Sequence, residues 1–404
     1  MNLTAEQLTV ARATEPRIRV KALAGTGKTH TAVHRIIEQR KMGRKVSRVF
    51  TFTKSAAETI SMRLSEAGIY DVPVSTLHKY AWDQVNTYRH SRGLDDIQIS
   101  DGSQIVQQIY FDEYERGAST REIEQVRQMS TLLLNGATYA FRTSENKAEL
   151  KHLVEQYRIK KKAWEQFDWD DLIIFASGVA TKRGTTIDGE VIIDEAQDLT
   201  QLQMRYIENL KPERITLILD PNQNIFGFAG VEQVASTAKN FTEYTLSKSF
   251  RTAQNILDLA NELIPERLTS NIKDGRGKVR WVQTTAETQT EDVLKMLEPG
   301  DCVISRFKAS AREVQKRFNP ELASHYPINS NVPVENSFYG FGSIHWAKGQ
   351  EWDRVFILNV TENGFAGLPM TEEEKRIMYV AITRARGEVI LMNLTKKRPR
   401  WFTQ

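Results

Sequence analysis

Seven short runs of β-branched and apolar residues alternate with helix-favouring stretches, and this rhythm limits the fold more than any other feature. The runs are RIRVKAL, SRVFTFT, EVIIDEA, ITLILD, DCVISRF, DRVFILNV and EVILMNL. Strands that alternate with helices are typical of parallel sheets with helices on their faces. Polar or glycine-rich turns directly follow four of the runs, where open parallel sheets place their ligand sites. We therefore expect an α/β fold whose chemistry lies at strand ends.

Length and composition narrow the class of protein. The chain has 404 residues, 40% of them hydrophobic, which is enough for at least two domain cores. A single cysteine, Cys302, excludes a disulfide framework and a thiolate metal cluster and fits a reducing cytoplasm. No run resembles a signal peptide or reaches the roughly 20 apolar residues of a membrane span. We expect a soluble cytoplasmic protein, and the net charge of +4 permits a polyanionic partner without requiring one.

The strand rhythm breaks twice, and the breaks predict the domain organisation. Between about Trp82 and Trp164 the sequence is charged and helix-favouring, which indicates a helical insertion. Between about Pro265 and Gly277 the sequence PERLTSNIKDGRG indicates a loop. These breaks predict a first α/β domain in residues 1–84 and 160–240, a helical insertion in 85–159 and a second α/β domain in 241–404. The sequence after the last strand, TKKRPRWFTQ, is expected to be a solvated end, with contact to DNA or to a partner as the alternative.

A glycine-rich segment, KALAGTGKT at residues 21–29, lies between a predicted strand and a predicted helix. In a phosphate loop, Lys28 reaches the β- and γ-phosphate oxygens and the Thr29 hydroxyl binds Mg²⁺. Backbone N–H groups at the helix N-terminus face the phosphates. Ala22 replaces the usual first glycine, which leaves a helix-capping turn as the alternative. The residues expected to wrap the phosphates are Ala24, Gly25, Thr26 and Gly27.

A second segment, VIIDEAQD at residues 191–198, reads as a buried strand that ends in two acids. Asp194 is expected to hold the Mg²⁺ ion through water and Glu195 to polarise the attacking water. Adjacent acids at a strand end can also simply cap the following helix. Because the phosphate loop is present as well, the two segments together predict a nucleoside triphosphatase.

The order of further motifs resembles the superfamily 1 helicases of the UvrD/Rep type. The segments that carry the resemblance are AGTGKT, TFTKSAA, STLHKYA, DWDDLI, VIIDEAQDLT, LDPNQNIFGFAG, LSKSFRT, IHWAKGQEWDRVFI and MYVAITRAR. This family normally has alanine at the position of Ala22. The resemblance implies two RecA-like P-loop motor domains, each a parallel sheet flanked by helices, with the helical insertion in the first. It implies ATP and Mg²⁺ as cofactors.

The resemblance also implies roles at the nucleotide for six residues. Gln7 reads the adenine edge, although it can equally be a solvated helix residue. Phe250 replaces a tyrosine that stacks on the base and keeps its π-face, although it can equally be a core aromatic. Arg251 and Arg384 approach the γ-phosphate from the second motor domain. The remaining two are Gln223, which senses the γ-phosphate or places the water, and Glu351, which binds the ribose.

Aromatic and polar residues interleave in the motifs that are expected to line a nucleic-acid track. Flat side chains accept any base, so binding should show little sequence specificity. Phe52 and Phe226 can alternatively be core residues. The chain has FTKSAA where the family has FTNKAA, and Ala229 where it often has arginine. The expected contacts are Phe52, Thr53, Thr76, His78, Phe226, Phe228, His345, Trp346 and Lys348.

The family's large second accessory subdomain is expected to be absent, because only a minimal loop at about residues 328–340 stands in its place. We therefore expect a single-stranded DNA translocase or DNA helicase, with 3′ to 5′ polarity implied by the resemblance, acting as a monomer on single-stranded or tailed duplex DNA. An RNA track stays open, because stacking and phosphate contacts do not distinguish the sugars. The alternative function is an ATP-dependent DNA-end sensor that controls a partner nuclease.

Overall fold

The computed structural model describes residues 3–135, 147–225, 238–272, 277–334, 337–369 and 371–402. The chain divides into two compact units. The first unit contains Met1–Lys21, Lys28–Leu219 and Phe226–Tyr244, and the second contains Ala22–Gly27, Asp220–Ile225 and Thr245–Gln404. Each unit has a sheet of its own.

The first sheet has six described strands in the order β3-β2-β4-β5-β1-β6. Strands β1 to β5 pair in parallel; for example, Arg17 of β1 lies opposite Ile215 of β5. This arrangement confirms the first four predicted strand runs. The strands are β1 (Arg17–Ala22), β2 (Val46–Thr51), β3 (Val74–Thr76), β4 (Glu190–Ile193), β5 (Arg214–Leu219) and β6 (Thr242–Leu246).

Helices pack on this sheet and begin where the sequence supplies a cap. Thr53, Thr76, Asp168 and Thr200 each accept a hydrogen bond from a backbone N–H of the first turn that follows. The core between sheet and helices includes Phe50, Tyr80 and Tyr206. The helices are α1 (Ala5–Arg12), α2 (Lys28–Lys41), α3 (Lys54–Glu66), α4 (Leu77–His90), α8 (Trp169–Arg183) and α9 (Gln201–Asn209).

Three helices, α5 (Ser103–Tyr114), α6 (Thr120–Leu134) and α7 (Lys147–Ala163), occupy the region predicted as a helical insertion. They enclose a small core of their own that includes Ile109, Val126 and Val154. Gly102, at φ +72°, precedes α5, and a Cβ there would overlap the Tyr157 ring. At the base of the insertion, the buried Lys161 ammonium donates to Asp168 and Asp171, which lie at the N-terminus of α8.

The second sheet has seven described strands in the path β11-β12-β10-β13-β15-β9, with β14 on β13. It confirms the last three predicted strand runs. The expected loop at 328–340 instead contains part of an antiparallel pair of strands, in which Val332 lies opposite Tyr339. The strands are β9 (Lys278–Gln283), β10 (Cys302–Ser305), β11 (Ser330–Val334), β12 (Ser337–Ser343), β13 (Trp352–Thr361), β14 (Gly364–Phe365) and β15 (Ala385–Asn393), with β7 (Lys248–Ser249) and β8 (Thr269–Ser270) as a separate pair.

The remaining helices belong to the second unit, and the residues after β15 are folded onto it. Phe402 is buried, although Lys396, Lys397, Arg398 and Arg400 are exposed, so the expectation of a solvated end is wrong for Phe402. Among the described residues, no helix has the length and apolar character that crossing a bilayer requires. The helices are α10 (Gln254–Asn261), α11 (Gln289–Leu294), α12 (Lys308–Phe318), α13 (Pro320–His325), α14 (Ile344–Ala347) and α15 (Glu372–Ile382).

Candidate nucleotide and nucleic-acid sites

The glycine-rich segment forms a turn between the end of β1 at Ala22 and the start of α2 at Lys28. Gly25 and Gly27 have φ of 73° and 80°, in the left-handed region that glycine adopts without strain. The buried Thr26 closes the turn, because its Oγ1 donates to the Leu23 carbonyl at 2.8 Å. The sequence therefore folds into the strand, loop and helix that a phosphate loop requires.

Four predicted residues of the first unit face one another at the start of α2 and the end of β4. Thr29 Oγ1 donates to Asp194 Oδ2 at 3.1 Å, and Lys28 Nζ lies 3.7 Å from Glu195 Oε1. Glu195 has φ of 55°, and its backbone N–H donates to Asp194 Oδ1 at 3.0 Å. The structure thus brings together the lysine, the hydroxyl and both carboxylates.

The environment of Asp194 favours a bound cation. Burial and then the neighbouring Glu195 raise the pKa of Asp194 to about 6, although Lys28 and the Thr29 hydroxyl act in the opposite direction. No group of three or more His, Cys, Asp or Glu side chains suited to a metal occurs among the described residues. Mg²⁺ commonly takes one or two protein oxygens and completes its shell with phosphates and water. The Thr29 hydroxyl and the Asp194 carboxylate fit that donor set.

Arg384 and Gln223 meet inside the second unit. Arg384 is 1% exposed, and its Nη2 donates to Gln223 Oε1 at 3.3 Å. Gln223 Nε2 in turn donates to Asp220 Oδ2 at 2.7 Å. Tyr379, which the sequence did not single out, donates to the same Asp220 oxygen at 3.3 Å, and its hydroxyl accepts from the Ala24 N–H at 3.2 Å.

Arg251 lies beside Gly25 with part of its guanidinium unsatisfied. The Phe250 backbone N–H donates to the Gly25 carbonyl at 2.9 Å. Arg251 Nη1 pairs with Glu351 Oε2 at 3.3 Å, whereas its Nε and Nη2 are buried without a hydrogen-bond partner among the described residues. Buried donors of this kind are costly unless an acceptor binds. A phosphate oxygen is an acceptor that suits an arginine.

Glu351, expected at the ribose, is held by two arginines. Its Oε1 accepts from Arg386 at 2.6 Å while its other oxygen faces Arg251. Burial alone would raise the pKa of Glu351, but Arg251 and Arg386 outweigh burial and lower it. The ribose contact of Glu351 stays a prediction.

Gln7 is buried rather than solvated, at 2% exposed. Its side-chain Oε1 accepts from the Thr4 backbone N–H at 3.0 Å, and the Gln7 N–H donates to Thr4 Oγ1 at 3.1 Å. This capping box fixes the start of α1 and the direction of the Gln7 side chain. The adenine contact of Gln7 stays a prediction.

The predicted track residues of the first unit lie at the carboxyl ends of two paired strands. Thr51 and Thr76 are opposite each other in β2 and β3, so Phe52 and His78 follow neighbouring strand ends. Phe52 is 48% exposed, which contradicts the core alternative. Thr53 and Thr76 cap α3 and α4 and accept from Ala56 N and Lys79 N at 3.2 Å each.

Trp169 is a further candidate that the sequence interpretation missed. It is 53% exposed, and its ring meets the His78 ring edge-on at a centroid distance of 5.3 Å. The sequence DWDD could have indicated this position for Trp169. Asp168 and Asp171 form a capping box, and Trp169 is the first residue after the cap. A large aromatic in that position beside His78 offers a stacking surface.

The predicted track residues of the second unit are packed more closely. His345 Nε2 lies 3.1 Å from the Ile225 carbonyl oxygen, and burial, with nearby Arg306, lowers the pKa of His345 to about 4. The Trp346 ring packs against Trp352 at 5.6 Å, and Lys348 follows α14. Phe226 and Phe228 lie outside the described residues.

A glycine-rich loop whose lysine and threonine face two carboxylates defines a P-loop nucleoside triphosphatase. Residues 3–242 match the family model of the UvrD/REP helicase N-terminal domain, and residues 341–396 match that of the UvrD-like helicase C-terminal domain. The chain belongs to the UvrD/REP helicase family. It is accordingly an enzyme of the ATP-dependent DNA helicase class with two RecA-like motor domains.

Several curated relatives carry helicase names. A "Probable DNA helicase" of Mycoplasma pneumoniae is 22% identical and aligns with 92% of this chain and 79% of its own length. An "ATP-dependent DNA helicase PcrA" of Staphylococcus epidermidis is 22% identical over 82% of this chain and 50% of its own. A "DNA helicase II" of Haemophilus influenzae is 24% identical over 65% and 40%. The chain thus spans about half or less of the length of the last two.

Proposed function

We propose that this chain hydrolyses ATP to move along single-stranded DNA in the 3′ to 5′ direction. The observation that carries the proposal is the contact of Lys28 and Thr29 with the Asp194–Glu195 pair. This is the arrangement that a magnesium–nucleotide site uses. DNA is the preferred track because the relatives are named as DNA helicases.

The nucleotide roles divide among the residues described above. Lys28 neutralises the β- and γ-phosphate oxygens, and Thr29 and Asp194 hold Mg²⁺, which screens charge on the transferred phosphoryl group. Glu195 orients the attacking water and accepts its proton.

Gln7 reads adenine, Phe250 stacks on it and Glu351 binds the ribose. The remaining roles fall to Arg251 and Arg384, which stabilise γ-phosphate charge, and Gln223, which positions the water.

Movement requires a strand-binding surface whose affinity changes with the state of the nucleotide. In the first unit we assign that surface to Phe52, His78 and Trp169, flanked by the helix N-termini that Thr53 and Thr76 cap. Aromatic rings stack on any base, and backbone N–H groups at helix ends bind phosphates. In the second unit we assign it to His345, Trp346 and Lys348.

The decisive experiment measures ATP turnover with single-stranded DNA, with RNA and without polymer. We expect DNA to stimulate turnover and Lys28→Ala to abolish it. Lys41→Ala is the matched control, because Lys41 lies at the far end of the same helix with a 65% exposed side chain. Equal turnover under all three conditions would contradict a nucleic-acid motor.

Direction needs a separate assay. Streptavidin bound to one end of a biotinylated strand is displaced by a motor that arrives at that end. We expect faster displacement from the 5′ end than from the 3′ end. DNA binding and ATP turnover without displacement from either end would instead support the DNA-end sensor.

A further inference from the structure

Residues 394–402, here named the basic segment, follow β15 and are held against the second unit by their own backbone. Arg400 N donates to the Glu362 carbonyl at 2.9 Å. The Lys397 carbonyl accepts from Asn393 Nδ2 at 3.1 Å and from Thr395 Oγ1 at 2.8 Å. These bonds give the segment one conformation instead of the ensemble of a solvated end.

Two aromatic anchors fix the segment further. Phe402 is 8% exposed, and its ring meets Trp281 of β9 edge-on at 5.6 Å. Trp401 packs over Gly364, where φ is +97° and a Cβ would overlap the indole ring. The Arg398 guanidinium lies 5.0 Å from the Trp281 ring centroid. Burial of such rings is worth several kcal/mol, so the position of the segment is well determined.

The anchors present four cations to solvent. Lys396, Lys397, Arg398 and Arg400 are all exposed. The sequence from 394 to 402 contains no acid, and no ion pair joins these four to any acid of the described residues. Most other arginines near the sheet are paired, as Arg280 is with Glu388 at 3.5 Å. Because the backbone that carries these cations is already ordered, binding an anion needs no further ordering of the chain itself.

The basic segment is remote from the nucleotide residues of its own unit. It lies beyond the carboxyl end of β15, whereas Arg384 immediately precedes the amino end. Nine residues of parallel strand at about 3.3 Å each place the two ends roughly 27–30 Å apart. The cations therefore lie too far from Arg384 to share the nucleotide that is assigned to it above.

We propose that the basic segment binds the phosphate backbone of duplex DNA. This inference rests on the proposed function and adds a substrate contact to it. Duplex DNA presents one charge per about 1.7 Å of axis, which suits a short row of fixed cations. Arg398 and Phe402 both contact the Trp281 ring, which reduces the surface on which an unpaired base could stack. An acidic peptide usually needs apolar pockets for its anchor side chains. Here the aromatic residues Phe402 and Trp401 pack against the protein itself and form no such pocket for a partner.

The test measures duplex binding by the full chain as a function of salt. The variant Lys396→Gln/Lys397→Gln/Arg400→Gln removes three cations and keeps both anchors and Arg398. We expect affinity for a blunt duplex to fall about tenfold or more, and the slope of log K against log [salt] to fall by about 2–3. The matched control is Lys211→Gln/Lys295→Gln/Lys316→Gln, three exposed lysines elsewhere. It should bind as the wild type does.

A second variant tests whether duplex affinity depends on the position of the four cations as well as on their charge. Phe402→Ala keeps all four cations and releases one anchor, and we expect a several-fold loss of duplex affinity with an unchanged fold of the sheet by circular dichroism. Equal duplex affinity and salt slope for the triple variant and the wild type would overturn the proposal. Loss of poly-glutamate binding with duplex binding retained would also overturn it, in favour of an acidic protein.

ATP turnover on a short single strand distinguishes the two proposals. The triple variant should keep wild-type stimulation, because it alters no nucleotide or track residue. If stimulation is present but the triple variant binds duplex normally, only the basic segment is wrongly assigned. If no DNA stimulates the wild type, the motor itself is wrongly assigned.

Discussion

Trp169 shows how a helix cap decides which side chain reaches solvent. Asp168 and Asp171 each accept a backbone N–H of the other at 3.0 Å, so the helix starts at a fixed point and Trp169 emerges at its first position. Its only described ring partner is His78, and about half of the residue stays exposed. An exposed tryptophan with one face available is a platform for a base.

Trp169→Ala is expected to weaken single-stranded DNA binding by about 5- to 150-fold, equivalent to roughly 1–3 kcal/mol of stacking. Because no charge is removed, the salt dependence of binding should not change. Trp169→Phe should retain most of the affinity. Fluorescence anisotropy with a labelled oligonucleotide measures both, and Trp164→Ala, which removes another exposed tryptophan, is the control. A changed salt slope in Trp169→Ala would argue against stacking.

The placement of residues was predictable from sequence where a motif fixes the position, as with Lys28 and Asp194. The partners of Arg251 were not, because the pairing of Arg251 with Glu351 joins positions 100 residues apart. Trp169 was not predicted, because the interpretation of the DWDD motif rested on its acidic residues. The exposure of Phe52 was also left open, since an aromatic next to a strand is more often buried.

At the scale of elements, α1 is attached to α2 by two side chains that satisfy its last carbonyls. Arg35 Nη1 donates to the Val10 and Ala13 carbonyls at 2.7 and 3.0 Å, and Gln39 Nε2 donates to Ala11 and Ala13 at 3.0 Å each. Arg35 is fully buried and pairs with Glu190 of β4 at 2.6 Å. The helix that carries Gln7 is therefore tied to the sheet through one ion pair.

Arg35→Met is expected to cost about 3–5 kcal/mol of unfolding free energy, because it leaves Glu190 buried without its main partner and frees the α1 carbonyls. The double variant Arg35→Met/Glu190→Gln should recover part of that loss. If α1 positions Gln7, the KM for ATP should rise more than kcat falls in Arg35→Met. Denaturation and steady-state kinetics measure the two effects. A loss of stability with an unchanged KM would separate α1 from nucleotide binding.

Asp301, which precedes β10, makes the stability of the second unit depend on pH. Burial raises the pKa of Asp301 to about 6. Two groups act in the opposite direction: the Glu298 backbone N–H, which donates to Asp301 Oδ2 at 2.7 Å, and the nearby Arg354. Between about pH 4 and 6 the folded state therefore holds a proton that the unfolded state has released, so stability falls as pH rises through this window.

Asp301→Asn removes this titration and keeps an oxygen that accepts from Glu298 N. We expect the unfolding free energy of the variant to rise relative to that of the wild type by about 1–2 kcal/mol between pH 4 and pH 7. Urea denaturation across that range measures it. Asp353→Asn, at a side chain 83% exposed, should show no such trend. A gain that shrinks as pH rises would contradict the assignment.

The seven strand runs were predictable because β-branched periodicity is a local signal. The pairing of β11 with β12 was not, since SNVPV and SFYGFGS contain the Ser, Asn, Pro and Gly typical of turns. Tertiary context overrides that preference, because Phe341 is fully buried and pairs in register with Val303 of β10. The anchoring of the basic segment likewise depends on Trp281, more than 100 residues earlier.

For the whole molecule, the second unit bears on strand separation. Among the described residues between 319 and 343, the chain supplies only α13, β11 and β12 where the resemblance places a large duplex-contacting subdomain. Opening DNA costs a mean of about 1.4 kcal/mol per base-pair step. A motor must hold the fork while the base pairs open, and the cations at 396–400 are the duplex contact that we propose.

We therefore expect vigorous single-strand-stimulated ATP turnover with weak strand separation. On tailed duplexes the unwound fraction should fall steeply as the duplex lengthens, because each further step gives the fork another chance to close before the next hydrolysis. A strand-displacement assay with a trap oligonucleotide measures this beside ATP turnover in the same buffer, with Lys28→Ala as the inactive control. Equal yields on short and long duplexes would show that the two units hold a fork without a further subdomain.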